Sequence, residues 1–447
     1  GILLYYILNQ DSLAYRLVTT YSFDILPTEE QLRYALDRLG AKHEVLRTSI
    51  IYKGVEDYRQ AIVNRPLGLE MRDVSGEEDM EKAVRDIHLA EQKRGFDLQK
   101  DSLFRITCVK TSDNTCKLIL SVHHIIVDGW CIELFTSDLL RYLVEAMQGV
   151  ESEPDTSNDG RYEAYIREIR SKDMEKGLAY WDNLLKDYST TAVIPLMETV
   201  PEEEQTDDKL TMKIKGDDMI RLMNLCAEEQ ITPNTILELA WGLTLNAYNH
   251  SNDSVFVKVV SGRNASTQSV ENVVGLFINS VPVRVTVEKG HNVRQSLQAL
   301  QNQASETNEW DYCPLAEIQN RSMLGQDLFQ SILAFENYSD DDQKPSLPFS
   351  ISQDYSKEES FNDLTITAYT GKDELTVNME FDKRKYTMRD MEEVANVMKN
   401  IIRCIVNNPE METLDIPSLE QSTILKLMEL GRGATLTYDK SETLVDL

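Results

Sequence analysis

Several features that would assign a function directly are scarce or missing in this chain of 447 residues. Its six cysteines form no Cys-x-x-Cys pair and no zinc-like spacing, so they indicate buried free thiols and exclude a disulfide framework. The apolar start, GILLYYIL at residues 1–8, is far shorter than the roughly 20 residues of a membrane span. It also lacks the basic front and the small-residue cleavage site of a signal peptide. The sequence therefore predicts a cytoplasmic protein.

Positive charge is also scarce. The chain has 46 Lys and Arg against 75 Asp and Glu, a formal net charge of −29, and no basic tract reverses this locally. Such a charge repels nucleic acid and anionic lipid, which makes both unlikely partners. A hydrophobic content of 41% and a charged content of 27% are typical of a folded globular protein. The length exceeds one ordinary core, so two or three are expected.

The first 150 residues alternate helical and strand patterns. Helices are predicted for 28–39, where Thr28 supplies an N-cap, for 79–92 and for 131–148. The β-rich runs LFRITCVK and KLILSVHH, separated by the polar turn TSDNT, predict an antiparallel hairpin. The polar segment ESEPDTSNDG at 151–160 is the clearest first boundary signal.

The second half repeats this organisation without a short-period repeat. Helices are predicted for 217–228 and from Thr232, with Pro233 in the first turn, to about Asn249. The strand VFVKVV ends in Ser-Gly-Arg at 261–263, and the strand FINSVPVRVTV contains Pro282, which favours an edge position or a bulge. Each half thus has an apolar strand that ends in a polar cluster, and this pattern predicts two related lobes with a cleft between them.

The segment SVHHIIVDGW at residues 121–130 places two of the six histidines side by side. Successive strand residues point to opposite faces, so one histidine should face a core and the other should face outward into a cavity. Asp128 follows in a loop, and Gly129 permits a tight turn or a close approach.

Three interpretations of this segment stay open from the residues alone. Both histidines could be buried core residues. A metal site is disfavoured, because adjacent strand residues diverge and no other cluster lies at ligand spacing. The third is a histidine that handles a proton in acyl transfer.

Six segments in order resemble one family. HHIIVDG resembles the HHxxxDG motif of the condensation domains of nonribosomal peptide synthetases, relatives of chloramphenicol acetyltransferase. The other five segments resemble, in order, the family's RHExLRT motif, its Tyr-containing linker motif, its VGxFxNTxxxR motif and two later motifs. They are KHEVLRTSI (42–50), RYEAYIREI (161–169), VGLFINSVPVR (274–284), DYCPLAEIQ (311–319) and LFQSILAFENY (328–338), with Lys42 for the first Arg and Ser280 for Thr.

The resemblance implies an α/β (α+β) fold of two chloramphenicol acetyltransferase-like lobes in a V-shaped pseudo-dimer with a tunnel between them. We expect residues 1–170 to form the N-terminal lobe, truncated at its start, and residues 171–425 the C-terminal lobe. Residues 426–447 resemble a linker toward an adenylation domain. Because Gly1 falls inside the family's first motif, the chain resembles a piece of a longer one.

The implied activity is amide-bond formation: the amine of a carrier-bound acceptor attacks a carrier-bound donor thioester. The substrates would arrive on the phosphopantetheine arms of donor and acceptor carrier domains, and the chain would need no cofactor of its own. DGWC, CPLAEIQ and AFENY are most similar to members that take a D-configured donor, for which the upstream module would end in an epimerisation domain. The alternatives are an epimerisation domain, a catalytically idle carrier-docking module and, less favoured, a coenzyme A acyltransferase.

The family pattern assigns His124 to the reacting centre, as general base or as positioner of the amine, beside His123, which packs inward. Asp128 is expected to be an anchor paired with Arg263 across the lobes, although a catalytic role stays open. Gly129 would keep the tunnel open or simply form a turn.

Supporting residues complete the prediction. Arg47 is expected to buttress the histidine loop and Asn337 to line the acceptor side, while Trp130 and Phe277 are equally compatible with core and tunnel wall. The other histidines are assigned to the surface on their polar contexts: His43, His88, His250 and His291.

Overall fold

The structure is a computed structural model of mixed helix and sheet. It describes residues 2–9, 12–195, 200–201, 208–263, 270–336, 347–357 and 362–431. Within these ranges, no helix has both the length and the apolarity that crossing a membrane would require.

The elements are numbered in chain order. The strands of the described chain are β1 (Arg16–Phe23), β2 (Thr48–Ile51), β3 (Arg59–Ile62), β4 (Gly68–Asp73), β5 (Phe104–Lys110), β6 (Cys116–His123), β7 (Lys209–Lys215), β8 (Asp253–Val260), β9 (Asn279–Thr286), β10 (Ser331–Glu336), β11 (Ile351–Lys357), β12 (Leu364–Thr370) and β13 (Glu374–Phe381). The α-helices are α1 (Ile2–Leu8), α2 (Glu29–Lys42), α3 (Met80–Arg94), α4 (Gly129–Met147), α5 (Arg161–Ser171), α6 (Met174–Leu184), α7 (Asp217–Glu229), α8 (Pro233–Asn249), α9 (Val293–Thr307), α10 (Leu315–Arg321), α11 (Met388–Asn407) and α12 (Gln421–Leu430).

The first lobe is built on a five-stranded sheet in the order β11-β1-β6-β5-β4. β5 and β6 are antiparallel neighbours, which confirms the predicted hairpin. The apolar residues of one sheet face form a core with α2 and α4, which pack against each other. α3 covers the other face. β6 is therefore buried on both sides, as its continuous apolar sequence suggests.

The second lobe is built on a six-stranded sheet in the order β7-β13-β12-β10-β8-β9. Its largest core lies between this sheet and a helical layer that includes α7, α8, α9 and α11. β9 is an edge strand, which confirms the position predicted from Pro282. Thr232 caps α8 with its side chain, and Pro233 stands in the first turn, as expected.

β11 crosses from the second half of the chain into the sheet of the first lobe. It pairs antiparallel with β1, and Asp354 of β11 accepts hydrogen bonds from Ser22 (2.8 and 2.7 Å) and from Lys117 (2.7 Å). The expected division into residues 1–170 and 171–425 stays a prediction; β11, which lies in the second range, pairs with a strand of the first. The polar sequence of β11 gave no strand signal.

The surface assignment of two histidines is wrong. His43 and His88 are both buried, although their sequence neighbours are polar. His43 lies at the C-terminus of α2, and its Nε2 is 2.8 Å from Oδ2 of Asp138 on α4. His88 lies on the α3 face that meets the sheet, with Nδ1 3.0 Å from the Thr20 hydroxyl. A polar local sequence did not reveal which helix face is covered.

Candidate functional site

β6 delivers the two histidines to its C-terminal end. His123 is the last strand residue and pairs with Arg16 of β1. The main-chain N–H of His124 donates to the Tyr15 carbonyl (3.0 Å), so His124 begins the loop to α4 beside the start of β1. His123 is 1% exposed and His124 is half-buried, so the histidine that packs into the core is His123.

His123 is held as a neutral ring. Its imidazole lies edge-on to Tyr6 and Phe96, with centroids 5.9 and 5.8 Å away. Burial, together with His124 and Arg16, lowers the pKa of His123 to about 3. The Ile125 N–H donates to Nδ1 (3.0 Å), so the ring proton lies on Nε2. His123 thus fixes the loop and has no charge to offer a substrate at neutral pH.

Asp128 ends the histidine loop and begins α4. It is the N-cap residue, and its fully buried carboxylate accepts from the Cys131 N–H (3.3 Å). Two further donors come from the second lobe: Nη2 of Arg263 lies 3.1 Å from Oδ1, and the Phe277 N–H lies 3.0 Å from Oδ2. The predicted Asp128–Arg263 pair is therefore present. It anchors the loop to the other lobe.

Arg263 reaches Asp128 because of the glycine before it. Gly262 has φ of +63°, and a Cβ there would stand 1.8 Å from the Phe277 carbonyl oxygen, so no other residue fits without a backbone shift. The Arg263 guanidinium then stacks over the Phe277 ring at 4.1 Å. Its Nη1 donates to the carbonyl oxygens of Val270 and Val273. The buried charge is thus compensated on several sides.

The remaining predicted residues have different surroundings. Gly129 is the first residue of α4. Trp130 is 46% exposed and donates from Nε1 to the Glu271 carbonyl of the second lobe (3.1 Å), so it is not a core residue. Phe277 is buried.

Two supporting residues do not join this group. The expectation that Arg47 buttresses the histidine loop is wrong, because its side chain donates to the carbonyls of Gly40 (2.9 Å) and Val63 (3.5 Å). Neither belongs to the loop, and Arg47 instead fixes the chain between α2 and β2. Asn337 lies outside the described residues.

Three residues at this junction were not predicted as part of the site. Cys131 contacts both Asp128 and Gly275. Tyr162 and Tyr165 of α5 donate to the carbonyls of Leu276 (3.0 Å) and Phe277 (3.4 Å). The two tyrosines three apart on one helix face were a usable signal; the thiol, in an apolar context, gave none.

The arrangement can present one imidazole on a rigid loop. The loop is tied to β1 at His124 and to the second lobe at Asp128. A cavity of about 210 Å³ borders the same junction and is lined by Tyr165, Gly262 and Phe277 among others. Across the described parts of the chain, no three His, Cys, Asp or Glu side chains are grouped to hold a metal ion. The half-buried imidazole of His124 has the chemistry for proton transfer and hydrogen bonding.

Comparisons with known proteins identify the family of the chain. The family model described as Condensation domain matches residues 1–427. The chain is 28% identical to bacitracin synthase 3 of Bacillus licheniformis, in an alignment covering 100% of this chain and 7% of that protein. It is 27% identical to tyrocidine synthase 3 of Brevibacillus parabrevis, covering 92% of this chain and 6% of that protein. The chain therefore spans less than a tenth of these two relatives.

Solved structures establish the fold. The starter condensation domain of rhizomide synthetase superposes with a TM-score of 0.74 at 16% identity, covering 94% of this chain and 97% of that one. The X-domain from teicoplanin biosynthesis, solved in complex with OxyB, also gives 0.74, at 17% identity, covering 91% and 92%. The fold is the chloramphenicol acetyltransferase-like one of condensation domains. With the family match over residues 1–427, the chain belongs to the condensation domain family of nonribosomal peptide synthetases.

Proposed function

We propose that this chain forms a peptide bond between two carrier-bound substrates, with a donor that is D-configured at its reacting residue. Condensation domains of the related synthetases form amide bonds by acyl transfer. The D-configuration rests on the segments DGWC, CPLAEIQ and AFENY. The donor and acceptor carriers, the adenylation domain that follows and an epimerisation domain upstream are the partners this function requires.

The observation that carries the proposal is the contrast between the two histidines. His123 is fully buried and kept neutral, whereas His124 is half-buried on a loop that the Asp128–Arg263 pair fixes to the second lobe. The His123 imidazole thus has a structural role, and the His124 imidazole lies on a loop whose position is fixed. This is the geometry that a proton-handling residue needs, since small displacements of such a group cost much of its effect.

The reaction balances without a cofactor. The acceptor amine attacks the donor thioester carbonyl, a C–N bond forms and the C–S bond breaks. The proton lost by the amine ends on the sulfur of the departing donor arm, and His124 holds the amine and carries that proton. An α-amine titrates near 8, so an appreciable fraction is neutral at cellular pH. Fixing both reactants supplies much of the acceleration, about 7–11 kcal/mol in well-oriented cases.

The test is a single-turnover assay with two carriers. A donor carrier loaded with a D- or an L-aminoacyl group and an acceptor carrier loaded with an L-aminoacyl group are mixed with the chain, and products are measured by mass spectrometry. We expect dipeptide from the D-donor at a rate clearly above that from the L-donor. The His291→Ala variant, changed at an exposed histidine, should match the wild type.

Other outcomes point to the alternatives. Faster dipeptide formation from the L-donor would refute the donor configuration but retain condensation. Loss of α-tritium from a carrier-bound aminoacyl group without dipeptide would indicate epimerisation. Neither product, with both carriers loaded, would indicate a docking module without catalysis.

A further inference from the structure

The contact between the lobes beside Asp128 is made by a segment of the second lobe, residues 270–278, which we name the bridging segment. First-lobe side chains hold it mainly through its main chain. Besides the contacts to Asp128 and the two tyrosines, Trp130 bonds the Glu271 carbonyl and Asn158 the Asn272 carbonyl (both 3.1 Å). The segment's position is thus set by the first lobe, and it leads directly into β9.

Cys131 is placed at the centre of this contact. It is fully buried in the first turn of α4. Its Sγ lies 3.1 Å from Oδ1 of Asp128 and 3.1 Å from the Gly275 carbonyl oxygen, and it accepts from the Gly275 N–H at 3.3 Å. Nη2 of Arg263 lies 3.4 Å away. A thiol has one proton, so it donates to one of the two oxygens at a time and accepts from the N–H groups.

The thiol stays protonated in this environment. Burial and the Asp128 carboxylate raise the pKa of Cys131 to about 12. Cys131 therefore acts as a neutral donor and acceptor, and it lacks the thiolate that nucleophilic or redox chemistry needs.

Gly275 needs this partner because both of its main-chain groups face Cys131. It is buried against the Tyr162 ring, where an added Cβ would meet ring carbons at 2.4 and 2.5 Å. A buried main-chain N–H or carbonyl without a partner is costly. Two residues later, the Phe277 N–H bonds Asp128. The thiol and the carboxylate thus hold two successive points of the bridging segment from one turn of α4.

We propose that Cys131 is a positioning residue, whose thiol fixes Gly275 and so sets where the bridging segment lies relative to the histidine loop. It acts through Asp128 and the segment and does not touch the reacting atoms. The expected effect of Cys131 on the reaction rate rests on the proposed condensation activity. Its expected effect on the position of the bridging segment is independent of that activity.

The test compares Cys131→Ala and Cys131→Ser with Cys226→Ala in the full chain. Cys226 is a matched control, since it is also a buried thiol on a helix but lies in the core of the second lobe. Hydrogen exchange is measured on peptides covering residues 270–278. We expect about tenfold faster exchange in Cys131→Ala, the effect of one lost hydrogen bond of ordinary strength on an opening equilibrium. The rate should be partly restored in Cys131→Ser and unchanged in Cys226→Ala.

The catalytic readout separates positioning from general destabilisation. At a temperature where all variants are folded, kcat for dipeptide formation should fall about tenfold in Cys131→Ala, with KM for both loaded carriers within about twofold of wild type. The serine variant should recover part of kcat. If the alanine variant does not fold, Cys131→Val, which fills the space without a donor, replaces it.

Unchanged exchange of residues 270–278 in Cys131→Ala would overturn the proposal, and so would equal acceleration in Cys226→Ala. Altered exchange with wild-type kcat would also overturn it, because the segment would then move without consequence for the reaction. If the wild type forms no dipeptide, the proposed function fails, and the exchange result alone supports or overturns the role of Cys131 at the segment.

Discussion

At the scale of single residues, the pair His123–His124 divides two tasks between neighbours in the chain. His123 packs between Tyr6 and Phe96 and accepts from the Ile125 N–H, while His124 is half-buried and starts the loop to Asp128. The division follows from strand alternation at the end of β6. Substitutions of the two should therefore differ in kind, the first affecting folding and its pH dependence and the second affecting rate.

Replacing His124 tests its assigned role. We expect His124→Ala to lower the rate of dipeptide formation about 10²–10⁴-fold, the range for losing one general acid–base group. The measurement is single-turnover mass spectrometry with loaded carriers. His124→Ala should unfold in urea near the wild-type midpoint, which separates lost chemistry from lost structure. A wild-type rate in the folded variant would remove His124 from the mechanism.

The lowered pKa of His123 should make the free energy of unfolding depend on pH. Its folded pKa of about 3 lies below the ordinary 6.5, so between these values the unfolded chain binds a proton that the folded chain does not. Its contribution is complete above about pH 6.5 and is lost as the pH falls toward 3. Between pH 7 and pH 5 this loss amounts to about 2 kcal/mol. Urea unfolding of His123→Asn, which offers an oxygen to the Ile125 N–H, should show a correspondingly weaker dependence.

His250→Asn is the control for this measurement. His250 is exposed at the end of α8 with φ of +48°, a conformation that Asn tolerates. The wild-type pH dependence should persist in it. An identical slope in His123→Asn and wild type would contradict the assignment of a neutral buried ring.

The residue roles that the sequence predicted share a local origin. The burial of one of the two adjacent histidines follows from strand period, and the Asp128–Arg263 pair follows from the charges at the ends of two matching strands. The buried positions of His43 and His88 and the contacts of Cys131 depend on partners far along the chain. No local pattern encodes these partners, and the polar neighbours of His43 and His88 indicated a surface position.

At the scale of elements, the bridging segment is held through its main chain and requires glycine at one position. The Tyr162 ring lies where a Cβ of Gly275 would be. Gly275→Ala should lower the free energy of unfolding by about 1–3 kcal/mol, the usual cost of overpacking a buried contact. Urea unfolding measures this change.

Gly76→Ala provides the comparison for Gly275→Ala. A Cβ at Gly76 meets no atom within 4 Å, so this variant should not be destabilised. Equal stability of both alanine variants would mean that the Tyr162 ring yields and that the close approach is not required.

Helices were easier to predict than strand partners. The Thr28 cap, the helical pattern of residues 79–92 and the Thr232-Pro233 start predicted α2, α3 and α8 nearly at their observed bounds. β11, with the polar sequence ISQDYSK, was missed because its strand conformation depends on pairing with β1. Helix signals lie within one segment, whereas a polar strand acquires its structure from a neighbour.

At the scale of the whole molecule, the first lobe depends on residues from the second half of the chain. The first lobe takes β11 from the second half for its sheet, and its residues Asp128 and Cys131 are satisfied by Arg263 and Gly275. Neither its sheet nor its polar core is complete without residues of the second half. The domain is thus two lobes in architecture but one unit in its contacts.

A fragment of residues 1–171 tests this interdependence. Because it lacks β11 and the bridging segment, it should show no cooperative transition in urea, whereas the full chain should. Far-UV and near-UV circular dichroism measure the urea unfolding of the fragment and of the full chain. Addition of a peptide of residues 347–357 should raise the stability of any residual structure. A cooperative fragment with native near-UV signal would show that the first lobe folds alone.

The late position of β11 in the chain also affects how the protein is made. Ser22 and Asp354 are hydrogen-bonded although 332 residues separate them. At a ribosomal rate of about 5–20 residues per second, β1 emerges roughly 15 seconds to a minute before its partner. During that interval the nascent sheet has an open edge, which other chains could pair with. The sheet that carries the histidines is therefore completed only after most of the segment between β1 and β11 has left the ribosome.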